Sequence, residues 1–314
     1  YSDLGGNELV SSSVLDYDNA GRLTSIEHLD GTNAALVEYA YSLNIAGEII
    51  QVMIDAQTDV QSTDYDYDAT GQLIDADRPG TAEDEIYRYD ANGNRLSATS
   101  PGINSQSAIY TVDEANRITS DGIFNYQYDG EGNLILRTES ATNDTRALEW
   151  DHRNRLAVVV ETTNGIESQR IEYTYDAFDR RIAESIDGET TFLLSDGSAL
   201  WAEINSAGAA ITQYLQGAFT DEHIGRDQIG EDTEWYLTDR LDSVRDIINS
   251  VGDLIYQASY DSFGNKVSET NPAERDRYGL AGRELSEETG LYYNRARYYD
   301  SQLGRFISED TIEF

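Results

Sequence analysis

Residues 278–310 read YGLAGRELSEETGLYYNRARYYDSQLGRFISED. The stretch sets Tyr278, Tyr292, Tyr293, Tyr298, Tyr299 and Phe306 among Arg283, Arg295, Arg297 and Arg305, with glycines at Gly282, Gly290 and Gly304. A short aromatic run closed by Asp300-Ser301-Gln302-Leu303-Gly304 is a strand and turn signature, returning through Arg305-Phe306-Ile307. Aromatics interleaved with arginines also suit single-stranded nucleic acid. At a net charge of −37, the alternation fits tyrosine packing and cation–π contacts on a sheet better.

Upstream, a unit Y-x-Y-D-x-x-G-x-L recurs. It is read at Leu15-Asp16-Tyr17-Asp18 with Gly21 and Leu23, and at Tyr65-Asp66-Tyr67-Asp68 with Gly71 and Leu73. It returns at Tyr87-Arg88-Tyr89-Asp90 with Gly93, and at Tyr126-Gln127-Tyr128-Asp129 with Gly132 and Leu134. Weaker copies end at Ser42, Asp113, Asp151 and Asp176, the last three with Asn116, Asn154 or Asp179 in place of the glycine. Asn and Asp are the other residues that tolerate a left-handed backbone, so the spacing predicts a turn position of positive φ. Each unit is a strand, a tight turn and a returning strand, with both aromatics on one face and the Asp bonding amides across the turn. One hairpin cannot bury its apolar face alone; a stack of them forms a continuous sheet.

Composition agrees. Apolar residues are 39% of 314, offset by 22 tyrosines that bury a ring while keeping the hydroxyl bonded. With three prolines and abundant Tyr, Val, Ile and Thr, strands are favoured over helices. Lys266 is the sole lysine, and so acidic a surface repels phosphate backbones and anionic lipid. It is read as a solvated face suited to saline or cation-rich surroundings, the alternative being carboxylates that hold Ca²⁺. There is no cysteine to staple the fold, and no apolar run approaches a membrane span. Tyr1-Ser2-Asp3-Leu4-Gly5 looks like mid-repeat, so the chain is expected to be a fragment with any export signal elsewhere.

From about residue 188 the YD rhythm is expected to stop and longer strands to follow, among them Ala199–Ile204, Ile211–Leu215 and Leu254–Tyr260. Gly217 to Asp232 reads as a long acidic loop, and the one stretch of helical period is a short one near Glu284 to Glu288. The expected organisation is a 1–187 repeat half and a 188–314 core half of one shell.

The repeats and the 278–310 stretch together resemble the Rhs/YD-repeat proteins, bacterial relatives of the teneurin shell. The family's core motif, GxExxxETGLYYYRARYYDPxxGRFxSxDP, is matched with small departures at Leu285, Ser301 and Thr311. Arg240 and Asp242 stand where the family's TDHLGSVR has His and Gly. The resemblance implies an all-β fold of stacked antiparallel hairpins forming part of a spiral β-shell. It also implies a structural role in a large secreted or cell-surface protein whose wall encloses or displays a variable, toxin-like C-terminal piece. The alternative is an extracellular adhesive or matrix protein without cargo, binding cell-surface partners, divalent cations or glycans.

Enzymatic constellations are sparse. His28, His152 and His223 sit in unrelated contexts, and no zinc spacing or phosphate loop is present. Asp64, Asp66 and Asp68 alternate along one strand, which would put three hard oxygen ligands on one face for Ca²⁺. Gly71 falls at the eighth position rather than the EF-hand's sixth, and the same piece is already a repeat turn. The family resemblance further implies aspartyl-type self-cleavage after the core, carried by Arg297 and by Asp310 thirteen residues on. A proton-sharing carboxyl pair can activate water, and a guanidinium can hold or polarise its partner. The second aspartate would lie beyond this chain. On the residues alone, Arg297 is a bidentate partner at the sheet end and Asp310 closes a turn.

Overall fold

The computed structural model describes residues 9–56, 59–78, 84–103, 107–219 and 221–310, and the chain is all-β, a succession of antiparallel hairpins. The mid-repeat residues 1–5, and Thr311 and Glu313, lie outside the described residues.

Three sheets form, each with its strands in chain order. The first comprises β1 (Ser11–Tyr17), β2 (Leu23–Asp30), β3 (Ala35–Leu43), β4 (Ile49–Ala56), β5 (Asp59–Tyr67), β6 (Leu73–Asp77), β7 (Glu85–Tyr89), β8 (Arg95–Thr99) and β9 (Ser107–Ile109). The second opens with β10 (Thr111–Val112), β11 (Ile118–Ser120), β12 (Phe124–Tyr128), β13 (Leu134–Glu139), β14 (Thr145–Trp150), β15 (Leu156–Thr163), β16 (Ile166–Tyr175) and β17 (Arg181–Ile186). It continues with β18 (Glu189–Asp196), β19 (Ala199–Asn205), β20 (Ala210–Gln216), β21 (His223–Gln228), β22 (Glu234–Thr238), β23 (Val244–Ile248), β24 (Leu254–Tyr260) and β25 (Lys266–Glu269). The third holds β26 (Glu284–Ser286), β27 (Leu291–Asn294), β28 (Arg297–Asp300) and β29 (Arg305–Phe306).

One local device builds the hairpins. At the β1–β2 turn, Asp18 Oδ1 accepts the amides of Ala20 and Arg22 at 2.8 and 2.9 Å, and Gly21 N–H donates to the Asp18 carbonyl at 2.9 Å. The same pattern recurs at Asp68, Asp90, Asp113, Asp129, Asp151 and Asp176. The positive φ expected of the glycine substitutes is present: 61° at Asn116, 56° at Asn154 and 64° at Asp179. Just before the turn, each strand carries a register shift, as between Asp16 and Tyr17, Asp66 and Tyr67, or Thr174 and Tyr175. An extra residue at the same place in successive hairpins adds twist each time, which curls a sheet.

Past 188 the Y-x-Y-D unit lapses as expected, but the turn cap beneath it continues. Asn205, Asp239, Asn249 and Asp261 cap turns identically, without the tyrosine pair that flags them earlier. The second sheet runs unbroken through 187 and 188, where β17 pairs with β18. Two local expectations are corrected. The expected loop at 217–232 contains β21, which pairs with β20 and β22 although its sequence, His-Ile-Gly-Arg-Asp-Gln, lacks apolar alternation. Glu284–Ser286 is a strand, because Glu284 pairs with Tyr293 across the sheet; the short helical turns are at Pro272–Glu274 and Leu280–Gly282.

The wall curls back on itself. Val37, Tyr39 and Tyr41 of the first sheet share a core with Trp235, Leu237 and Ile248 near the end of the second. Tyr39 donates its hydroxyl to Asp246, and buried His28 joins Ser13 Oγ at 2.8 Å to the Thr238 carbonyl at 2.9 Å. The third sheet does not extend the wall. Leu291, Tyr293, Tyr298, Leu303 and Ile307 pack against Tyr87, Tyr126, Leu148, Val159 and Tyr173, on strands of both large sheets. Fully burying a side chain such as Leu156 or Ile171 here stabilises the fold by about 1.5–3 kcal/mol.

Turn carboxylates make the fold acid-sensitive. Hydrogen bonds hold Asp30, Asp68 and Asp90 below their ordinary value of 3.8, through the Ala34 amide, the Thr70 hydroxyl and the Asn94 side chain respectively. A depressed folded value means stability that is present above the unfolded value and lost as pH falls through the folded one. Replacing these three by Asn, the residue that already caps at positions 44, 205 and 249, is expected to preserve stability at neutral pH. It should flatten the loss below about pH 4, measured as the denaturation midpoint across a pH series.

Candidate functional site at the C-terminal plug

The third sheet is a plug, and its chemistry is set by where it touches the wall. Tyr298 Oη lies 2.9 Å from Tyr175 Oη, and Tyr292 and Tyr299 donate to the carbonyls of Gly264 and Phe263 at 2.8 and 3.0 Å. Gln302 Nε2 donates to the Gly102 carbonyl and Asn265 Nδ2 to the Ser301 carbonyl, at 2.7 and 3.0 Å. Gly304, at φ 65°, lies where a Cβ would overlap the Arg95 guanidinium, which rests over the Phe263 ring at 4.1 Å.

Beneath the plug runs a buried ionic lattice. Arg181 pairs with Glu284 at 2.5 Å and lies over the Tyr293 ring at 4.3 Å; Arg277 reaches Glu284 at 2.7 Å and Glu203 at 2.5 Å. Burial pushes the Glu284 carboxyl up, but Arg181 and Arg277 outweigh it and hold it below its ordinary range. Arg226 binds Glu234 at 2.6 Å, Asp276 at 2.9 Å and the carbonyls of Glu274 and Arg275. Tyr236 donates to Asp276 at 2.8 Å. Elsewhere on the same side, Arg275 above all pulls Glu269 down to about 2.

Arg297 and Asp310 are brought together: Nη2 and Oδ2 are 3.2 Å apart, and Arg297 also lies over the Phe306 ring at 3.7 Å. Both side chains are partly exposed. Of the three aspartates considered for Ca²⁺, Asp66 and Asp68 line one hollow and Asp64 is not among its lining residues. Asp68 lies past the bulge at the end of β5, where Oδ1 is taken by the turn amides and by Thr70 Oγ1 at 2.7 Å. Asp64 accepts from Gln51 Nε2 at 2.7 Å, and exposed Asp66 opposes Asp75. Among the described residues, no group of three or more His, Asp or Glu side chains is arranged to hold a metal.

Two sets of residues escaped the sequence reading. The residue after the turn glycine is often Arg, and it staples turns together: Arg22 bonds Asp18 at 2.7 Å and the Asn44 carbonyl at 2.7 Å. Arg155 bonds Asp151 and the Asp176 carbonyl, and Arg180 bonds Asp176 and the Gly197 carbonyl. The recurrence of Arg one place after Gly, Asn or Asp was the available signal. Buried His223 stacks on Tyr278 with ring centroids 3.7 Å apart, its Nε2 2.9 Å from the Gly282 carbonyl, and burial pushes its imidazole down. No local pattern marks it. His152 is exposed on a turn.

A family model described as teneurin YD-shell matches residues 7–314. Double-stranded DNA deaminase toxin A of Burkholderia cenocepacia is 26% identical over 98% of this chain and 22% of its own length. The tRNA3(Ser)-specific nuclease WapA of Bacillus spizizenii is 26% identical over 84% of the chain and 10% of its own length. The chain thus spans between a tenth and about a fifth of these relatives. Among solved structures, a variant Photorhabdus luminescens Tc holotoxin pore aligns with 96% of this chain and 19% of its own, at 18% identity and a TM-score of 0.53. A TcdB2–TccC3 crystal structure aligns likewise at 0.52. At that identity the likeness is one of fold: the β-shell.

If the plug is locked by its lattice, removing Arg181 leaves a buried carboxylate short of a partner. Arg181→Ala is expected to cost about 3–5 kcal/mol, read by chemical denaturation. Hydrogen exchange in 284–306 should accelerate more than exchange in the β1–β4 hairpins. Uniform acceleration would mean that the plug is not separately secured.

Proposed function

The chain belongs to the teneurin YD-shell family, and from that premise we propose that it is a wall-and-plug segment of a large secreted or cell-surface shell protein that encloses a variable C-terminal piece. The observation that carries this reading is the plug: the last described strands lie against the inner faces of both wall sheets, lined by Tyr87, Tyr126 and Tyr173. Relatives bearing toxin and nuclease names support a toxin-like cargo. In functional terms, 1–187 supplies repeat wall and 188–314 supplies wall plus closure.

The Arg297–Asp310 pair is proposed as half of a self-cleaving centre. Arg297 is stacked on Phe306 and paired at 3.2 Å, so it would hold the Asp310 carboxylate oriented toward a second aspartate supplied by sequence beyond this chain. That partner would share the proton and leave one carboxylate to activate water. The excess of 59 acidic over 22 basic residues argues against nucleic acid as a partner of the wall itself. An adhesive, cargo-free role draws its support from one outer hollow of about 500 Å³, lined by Asp66, Asp68, Asp75 and Asp90. Burial, then repulsion from Asp77 and Asp66, pushes the Asp75 carboxyl up, and cations in the surrounding solution would screen that repulsion.

Intact-mass measurement on the full-length gene product tests the leading reading. The wild type should appear as two fragments parted just past Asp310, and Asp310→Asn and Arg297→Gln as uncut chain. An uncut wild type, or variants cut like it, removes the protease role. Protection of the C-terminal fragment from added protease while the wall is folded tests enclosure separately. A melting temperature that rises with millimolar CaCl₂ would favour the adhesive alternative.

A further inference from the structure

Where plug meets wall there is a cleft of about 630 Å³, within the usual size of a small-ligand site. Its walls include Leu193, Leu200, Tyr278 and Tyr293, all buried. Its charge departs from that of the molecule: four arginines line it against three acids, in a chain of 59 acids and 22 bases.

At the rim, Arg283 and Arg295 converge on a single carboxylate, Asp221, with Arg283 Nη1 3.0 Å from Oδ2 and Arg295 Nη2 bonded to Oδ1. Among the described residues no other acid pairs with either guanidinium. Each guanidinium carries five donors in a fork suited to carboxylates, so two forks on one carboxylate keep donors and one positive charge in reserve. Arg295 is also held at φ 58° in the β27–β28 turn, a left-handed position where a residue with a Cβ is strained by about 1–2 kcal/mol. Glycine would relieve that strain, and the side chain there reaches over the cleft.

We propose that this cleft binds a carboxylate carried next to an apolar group, with Arg283 and Arg295 gripping the carboxylate and Leu193, Leu200, Tyr278 and Tyr293 receiving the apolar part. The same chemistry is offered by a free aromatic acid and by an acidic residue beside an aromatic one in a peptide. Nothing in the site requires the self-cleavage or cargo readings above.

Titration calorimetry of the whole chain tests it with three probes: N-acetyl-phenylalanine, its amide, and the peptide acetyl-Glu-Phe-amide. At least one carboxylate probe should bind at millimolar concentration, about tenfold more tightly than the neutral amide, as for loss of a charged hydrogen bond. Preference for the free acid would identify a small-molecule site, and preference for the peptide a segment-binding site. Arg283→Gln with Arg295→Gln should weaken binding at least tenfold, and Asp221→Asn, which releases both guanidiniums, should strengthen it. Ser198→Trp fills the cleft from its exposed edge and leaves these charges in place; it should abolish binding in a chain that melts like the wild type. Equal affinity for acid and amide, no binding of either carboxylate probe, or binding unchanged by Ser198→Trp would overturn the proposal.

Discussion

Everything in this fold rests on how a two-strand unit closes without leaving backbone amides bare. A hairpin turn orphans donors that must be met by solvent or by a side chain. Here one carboxylate or carboxamide oxygen meets two of them, at Asp18, Asn44, Asp90 and onward to Asp261. Because the cap is local, it can be repeated indefinitely, and the bulge beside it repeats too. Curvature follows from the repetition. An arginine that caps its own turn's Asp and then bonds the next turn's carbonyl, as Arg22 and Arg155 do, converts separate turns into a continuous rim.

That rim explains how a chain of charge −37 holds together. Scattered surface pairs such as Arg170–Glu167 contribute little, and this protein places many of its few cations elsewhere. Lys266 is the only lysine, so 22 − 1 leaves 21 arginines. Many of them are found in the turns and in the lattice under the plug. Arginine suits both places for one reason: a planar fork bonds carboxylates and carbonyls while its face lies on a ring, as Arg181 does between Glu284 and Tyr293. A lysine ammonium could form the pair but not the stack. Burying such pairs is costly unless every donor is used, and Arg226 meets that demand with two carboxylates and two carbonyls.

What the sequence made legible was what is local. The strand–turn–strand unit, the positive φ at Asn116, Asn154 and Asp179, and the turn from Asp300 to Gly304 all depend on residues within a few positions of one another. The Arg297–Asp310 proximity was carried by family resemblance rather than by spacing. What remained hidden was non-local. β21 looks like a loop because its inward residues, His223 and Arg226, are polar and answer to Gly282 and Asp276 far along the chain. Glu284 looks helical because its strand partner is made only once the plug forms. The separate identity of the plug had no signature at all: its strands share the tyrosine-rich composition of the wall, and only packing distinguishes a sheet that continues from one that fills.

The distinction between continuing and filling has a consequence for how the molecule is assembled. Wall hairpins pair with their sequence neighbours, so they can form in order with low loop-closure cost. The plug cannot, since it closes against Tyr87, Tyr126 and Tyr173, more than a hundred residues upstream of Tyr293 and Tyr298. Until those residues arrive, the inner face of the wall presents tyrosines and aliphatic side chains to water, which is the unfavourable state that burial relieves. The seam joining Tyr39 to Asp246 draws β3 and β23 together, and Arg146, bonded to the Thr289 carbonyl, ties β14 to the plug. Curvature is therefore written locally into each turn, whereas covering the wall's inner face depends on residues far along the chain. The strands from Glu284 to Phe306 cover a face that the wall hairpins by themselves leave open, and that is what buries Tyr87, Tyr126 and Tyr173.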